Sequence, residues 1–265
     1  MTPDEPHGEM PHVEIVSIGD ELLRGIVQET NAHRLSKRLA ARGADLRRVV
    51  LVPDDVEVVA AELRSVLSRA PRLVLTHGGL GPTDDDRTRE AIARALDVPL
   101  EEQPEALAIV ERRFAELAAA GAVDDAGLTG PRHRMAMLPR GARALDNQIG
   151  TAPGVVVTHA STTIVALPGV PPELFWIWEN PLSPLLDELL GPGGFAETTM
   201  TLDLRDESIV ADLLREIQAT HAGVYVKSRA KGFEDDDRIR VTLAARAGST
   251  ARAAQVRGAR HPRDR

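Results

Sequence analysis

Apolar positions along this chain fall into two alternating spacings, short continuous runs and runs with a three-to-four residue repeat. Val13 to Ile18 predicts a strand, and Asn31 to Arg42, with Leu35 and Leu39 on one face and Gly43 as a stop, predicts a helix. Leu46 to Val52 predicts the next strand. Pro53-Asp54-Asp55 then opens a second amphipathic helix in which Val56, Val59, Leu63, Val66 and Leu67 recur at helical spacing, and Arg72 to Thr76 is a third strand. Strands and helices joined by short connections imply right-handed crossovers, hence a mostly parallel sheet with helices on both faces, a three-layer α/β/α class. Ligands of such sheets bind beyond the carboxyl ends of the strands. Three loops are expected there: Gly19-Asp20-Glu21, Pro53-Asp54-Asp55, and the glycine-rich stretch after the third strand.

Further along, Gln103 to Ala120 predicts a long helix and Gly121 to Arg134 an irregular stretch. Val155 to Thr158 and Thr162 to Leu167 predict two strands around a turn at His159-Ala160-Ser161, and Pro172 to Leu190 a closing helix. Gly191-Pro192-Gly193-Gly194 reads as a hinge. A strand over Ala196 to Leu204, a helix over Asp206 to His221, and strands over Val224 to Ser228 and Arg238 to Ala244 predict a small α+β domain. The expected division is a flexible segment 1–12, a main domain 13–190, a small domain 195–247 and a disordered tail 248–265.

Composition narrows the chemistry. In 265 residues there is no cysteine, which excludes disulfides, thiolate nucleophiles and cysteine-held metals. The net charge of −8 argues against a nucleic-acid partner, since that needs a concentrated basic surface. No apolar run reaches the roughly 18 residues of a membrane helix, and the polar start of the chain lacks a signal-like core, so a cytoplasmic protein is expected. An anionic ligand would therefore depend on backbone N–H groups, arginines or a divalent cation.

The richest stretch is Thr76-His77-Gly78-Gly79-Leu80-Gly81-Pro82-Thr83-Asp84-Asp85-Asp86-Arg87-Thr88. Gly78, Gly79 and Gly81 let the backbone approach a phosphate, with a helix expected to start near Thr83 and to point its N–H groups there. The stretch is neither a Walker A loop nor a GxGxxG fingerprint, and by itself it also fits a tight strand-to-helix turn. Asp84, Asp85 and Asp86 fit helix capping, but three adjacent acids exceed that need and also fit a divalent cation beside the phosphate. Asp20 fits a turn, Asn31 an N-cap and Asp54 a helix opener, while all three share the same sheet edge. Asn147 to Gly154 and Leu167 to Glu173 fit turns or walls that read a ring or a ribose. His77 reads as a packing or loop residue, and no serine sits in a nucleophile elbow.

Ser17 to Gly25, Thr30-Asn31, Gly78 to Thr88, Asn147 to Gly154 and Leu167 to Pro171, in this order, resemble the molybdopterin-binding (MoaB/Mog-like) fold, and specifically the N-terminal domain of the competence/damage-inducible CinA family. The resemblance spans about residues 13 to 190, with Asp206 onward similar to that family's small second domain. It implies metal-assisted adenylyl transfer to a pterin in the wider fold, and a Mg- or Co-dependent pyrophosphatase acting on ADP-ribose in the CinA type. A relative fused to FAD synthase hydrolyses FAD. By resemblance, Asp86 and Asp54 hold the metal and are catalytic together with Asp20. The ligand, a nucleotide or pterin, meets Gly78, Gly79, Gly81, Thr83, Thr88, Asn31, Asn147, Gly150, Pro168 and Gly169. Arg87 and Arg89 are weaker candidates for charge stabilisation. A homo-oligomer is expected, as is a lack of nicotinamide-mononucleotide deamidase activity, because the sequence stops where that domain would follow. A noncatalytic regulatory module is a third reading. His77 stands where the family has a small or hydroxyl residue, a departure that bears on ligand fit or metal dependence.

Overall fold

The computed structural model describes residues 10–191, 194–204, 206–221, 224–230 and 238–247. The expected flexible start and tail lie outside them, apart from residues 10–12 of the former. Contacts divide the chain into two units: residues 11–37 with 45–189, and residues 190–265 with 1–10 and 38–44.

In chain order the elements are β1 (His12–Ile18), α1 (Asp20–Leu23), α2 (Asn31–Ala41), β2 (Asp45–Val52), α3 (Val56–Ser68), β3 (Leu73–His77), α4 (Thr88–Leu96), β4 (Leu100–Glu102) and α5 (Pro104–Ala119). They continue with α6 (Gly130–Arg134), β5 (Met137–Pro139), β6 (Arg143–Leu145), β7 (Gly154–His159), β8 (Thr162–Leu167), α7 (Pro171–Glu179) and α8 (Ser183–Leu190). The last four are β9 (Gly194–Leu202), α9 (Ser208–Thr220), β10 (Val224–Ala230) and β11 (Ile239–Ala247).

The large unit is built on a six-stranded sheet in the order β2-β1-β3-β8-β7-β6. The first four strands run parallel, β7 runs antiparallel to β8, and β6 antiparallel to β7, so that only β7 opposes the common direction. β3 and β8 are buried along their whole length, which is why each carries a continuous apolar run, Leu73-Val74-Leu75 and Ile164-Val165-Ala166-Leu167, while the edge strand β2 leaves Val49 and Leu51 exposed. Val16, Ile18, Val74, Ile164 and Ala166 meet Leu63, Val66, Ile92 and Val110 in one core. The small unit carries an antiparallel sheet, β10-β11-β9, with Val226, Ile239 and Val241 packed against Leu214 and Ile217 of α9.

Several elements differ from the sequence expectation. The helix expected over Pro172 to Leu190 is two, interrupted around Asn180-Pro181, where proline cannot continue the hydrogen-bond ladder. The helix expected near Thr83 starts at Thr88, so the three acids precede it.

β1 also buries a charge. Glu14 is 1% exposed, accepts from Arg69 Nε at 2.8 Å and Nη2 at 2.6 Å, and lies 3.0 Å from His12 Nε2. Burial opposes its ionised form, but Arg69 and His12 outweigh that and hold the carboxyl below its ordinary value of 4.5. Arg69→Ala removes both guanidinium bonds and leaves the buried carboxylate with His12 alone, and is expected to cost about 3 kcal/mol in urea unfolding at neutral pH. A group with a lowered folded pKa stabilises above its unfolded value and loses that contribution as pH falls through the folded one. The gap between wild type and variant should therefore be widest near neutrality and narrow below about pH 4.5.

Candidate functional site

The carboxyl ends of β1, β3 and β8 and the loop after β2 enclose a cavity of 650 Å³. The first strand delivers Gly19 and Glu21, the second Asp54, the third His77, Gly78, Gly79, Leu80 and Gly81, and the fourth Pro168 and Gly169.

At the centre is the turn after β3. Gly78 has φ 99°, and a Cβ there would lie 2.1 Å from the Ile18 carbonyl oxygen, so only glycine fits. Its N–H donates to Leu167 O (3.1 Å), and Thr88 Oγ donates to its carbonyl (2.8 Å). The Gly78 amide is thus spent on the sheet and not offered to a ligand. Gly79, Leu80 and Gly81 are different: their N–H groups have no protein acceptor among the described residues. Behind this run lies Arg89, 5% exposed, whose guanidinium donates to the carbonyls of Leu80 and, at 3.0 Å, Gly81. Burial lowers its pKa to about 10. Turning the Leu80 carbonyl toward Arg89 leaves the Gly81 N–H of the same peptide for the other side of the loop, and Thr88 does the same for the Gly79 and Leu80 N–H groups by holding the Gly78 and Gly79 carbonyls.

Asp86 closes this loop, its Oδ2 accepting from the Thr83 N–H (2.9 Å) and hydroxyl (2.5 Å). The capping expected of the three acids is absent: the residue before α4 is Arg87, which makes no side-chain cap. Arg87 itself pairs with Glu90 in solvent. On the next loop, Asp55 caps α3 by accepting from Glu57 N and Val58 N, which leaves its neighbour Asp54 to face the cavity. Asp54 Oδ2 accepts from Asp20 N at 2.8 Å, and Asp20 Oδ1 accepts from Asp54 N at 3.4 Å. Burial raises the pKa of Asp54 and, together with upward pushes from Glu21, Asp20 and Asp85, outweighs the lowering bond from the Asp20 N–H.

A comparable division of labour places Asn31. The start of α2 is held by Glu29, whose Oε1 accepts from Ala32 N (2.7 Å), so the Asn31 amide is free to donate to Gly169 O (2.8 Å) and brace the wall after β8. Asn147 is fully buried: its Oδ1 accepts from Ile149 and Gly150 N–H, and its Nδ2 donates to Ala152 O and Glu173 Oε2. Asn147 and Gly150 therefore shape the loop that presents Thr151 and Ala152, and do not themselves line the cavity. Thr83 and Thr88 likewise act on the loop from outside the cavity, and Asp20 contributes its backbone to Asp54 while its carboxylate pairs with Arg24.

Glu21, Glu29 and Glu173 also line the cavity, and sequence reasoning passed over their side chains. Burial raises the pKa of Glu173 against the pull of Asn147 and Arg113. Among the described residues no three His, Cys, Asp or Glu side chains form a ready metal cage. Asp54 and Asp86 each keep one carboxylate oxygen without a protein donor. That donor set suits a magnesium-type ion, which is held by one or two carboxylates together with ligand phosphates and water. No helix among the described residues is long and apolar enough to cross a membrane.

Residues 14–188 match the family model described as a probable molybdopterin binding domain. The chain is 41% identical over 242 residues to a protein of Aeropyrum pernix, covering 91% of this chain and 87% of that one. A Pyrococcus abyssi protein is 36% identical over 220 residues, 83% and 85% of the respective chains. Among solved structures, CinA of Thermoplasma acidophilum, a protein described as of unknown function, is similar with a TM-score of 0.58 and 31% identity, over 68% of this chain and 99% of that one.

Proposed function

This chain belongs to the molybdopterin-binding domain family, and on that premise we propose that its cavity takes a nucleotide pyrophosphate such as ADP-ribose and hydrolyses the phosphoanhydride bond with a divalent cation. The observation that carries the reading is the meeting, in one cavity, of the free amides of Gly79, Leu80 and Gly81 with the carboxylates of Asp54 and Asp86. Amide groups in a row receive phosphate oxygens. Two acids beside them repel an anion, a cost that a cation held between them removes. Asp54 and Asp86 would hold the ion, which neutralises the diphosphate and activates water. Asp20 N–H fixes Asp54, Arg89 fixes the amide run, and Asn31 fixes the wall at Gly169. In the reaction, a water oxygen bonds to one phosphorus while the bridging oxygen departs with the other phosphate, giving AMP and ribose 5-phosphate.

The family description favours a second reading, binding or adenylylation of molybdopterin in the same cavity. Incubation with ADP-ribose or FAD and Mg²⁺ or Co²⁺, followed by detection of AMP, separates the two. AMP release by the wild-type protein is expected. Release no greater than that of Asp86→Ala ends the hydrolase reading, and a copurifying pterin fluorescence then supports the second. Ligand binding without AMP or adenylylated product points to a noncatalytic module.

A further inference from the structure

The cavity lining is electrostatically lopsided. It holds the carboxylates of Glu21, Glu29, Asp54, Asp85, Asp86 and Glu173, and among the described residues it holds neither lysine nor arginine; His77 is its one basic side chain. Opposite charge within a few ångströms is worth far more in such a recess than in open water.

His77 ends β3 and is 2% exposed. Its Nε2 lies 2.8 Å from Ser17 Oγ on β1 and 3.3 Å from Glu29 Oε2 in the stretch before α2. The Glu29 contact is close enough for an ion pair, although Oε2 lacks hydrogen-bond geometry. A carboxylate facing an imidazole lone pair at that distance would be repelled, so Nε2 carries a proton. Nδ1 has no protein partner among the described residues. The neighbouring strands present Ser17 and Leu167, neither of them charged, so Glu29 is the one ionised group paired with the ring; the other five acids sit on the cavity wall. Burial opposes the charge on Glu29, but His77, the Ala32 N–H and Ser17 outweigh it and hold the carboxyl at about 2.

We propose that His77 is the cationic recognition residue of this cavity: as an imidazolium steadied by Glu29 at Nε2, it offers Nδ1–H to an anionic phosphate seated beside Gly78. The proposal rests on the phosphate-ligand reading above and adds to it a proton-linked, metal-independent source of affinity. An imidazole at this position also accounts for a site that gathers six acids around an anion without a single fixed cation in its wall.

Calorimetric titration of the protein with ADP-ribose in EDTA, from about pH 6 to about pH 9, tests it, since each phosphoryl group of this probe's diphosphate keeps its single negative charge throughout while an imidazole can change its own. Wild-type affinity is expected to fall by up to about tenfold per pH unit as the ring deprotonates. His77→Gln should bind at least about tenfold more weakly at pH 6 and show a flat profile. Equal affinities of wild type and variant at pH 6, or a flat wild-type profile, overturn the proposal. If His77→Gln does not fold, Glu29→Gln carries the test: without its carboxylate the decline should begin at lower pH, and a profile superimposable on wild type overturns the proposal. No binding heat from the wild-type protein in EDTA at any pH also overturns the proposal, whereas the ligand reading fails only if the same titration with Mg²⁺ gives no heat either.

Discussion

Gly78→Ala should be the most destabilising single substitution in the site, at about 3–5 kcal/mol in urea unfolding. Left-handed backbone costs an alanine about 1–2 kcal/mol. The larger part comes from the new Cβ, 2.1 Å from the Ile18 carbonyl oxygen, which forces apart the ends of β1 and β3. Such a shift also strains the bond from Gly78 N–H to Leu167 O, so three neighbouring strands feel one methyl group. Gly121 provides the control: its φ is 71°, but a Cβ there meets nothing within 4 Å, and Gly121→Ala should cost only about 1 kcal/mol. Similar losses for the two variants would show that the close approach at Gly78 does not limit stability.

Asp86→Asn should lower kcat/KM for ADP-ribose by about 10²–10³-fold, or about 2.7–4 kcal/mol of transition-state stabilisation, with little change in thermal midpoint. Asparagine keeps an acceptor for the Thr83 N–H and hydroxyl, so the loop stays closed, while the charge assigned to the cation is gone. Asp86→Ala removes both and should lower activity and loop stability together. If the asparagine variant retains wild-type turnover at saturating Mg²⁺, Asp86 serves the loop alone and the metal assignment moves to Asp54.

The parallel order of the first strands was legible because β1 and β3 lie inside the sheet and so are mostly apolar, although Glu14, Ser17, Thr76 and His77 are buried with them. The three-residue strands β4, β5 and β6 are too short to display an alternation, and they went unseen. At the site, the loops were legible and the direction of individual side chains was not. Asp54 and Asp55 are equivalent as letters, yet one caps α3 and the other faces the cavity. Asn31 resembles a cap, but the residue two before it performs that task. Asn147 lies in a polar loop and turns inward to tie that loop together. His77 carried a usable signal, since a histidine at the end of a strand that opens Leu73-Val74-Leu75 is buried with it and must find partners. Its partners, Ser17 and Glu29, come from segments far away in sequence, which no local pattern could supply.

The central claim is that a diphosphate rests on the amides of Gly79, Leu80 and Gly81 with Asp54 and Asp86 beside it. A crystal structure of the Asp86→Asn variant soaked with ADP-ribose and Mg²⁺ addresses it directly. Phosphate oxygens within about 3 Å of those amide nitrogens are the expected result. A diphosphate bound instead on the outer side of the loop, against Arg87 and Arg134, would contradict the account.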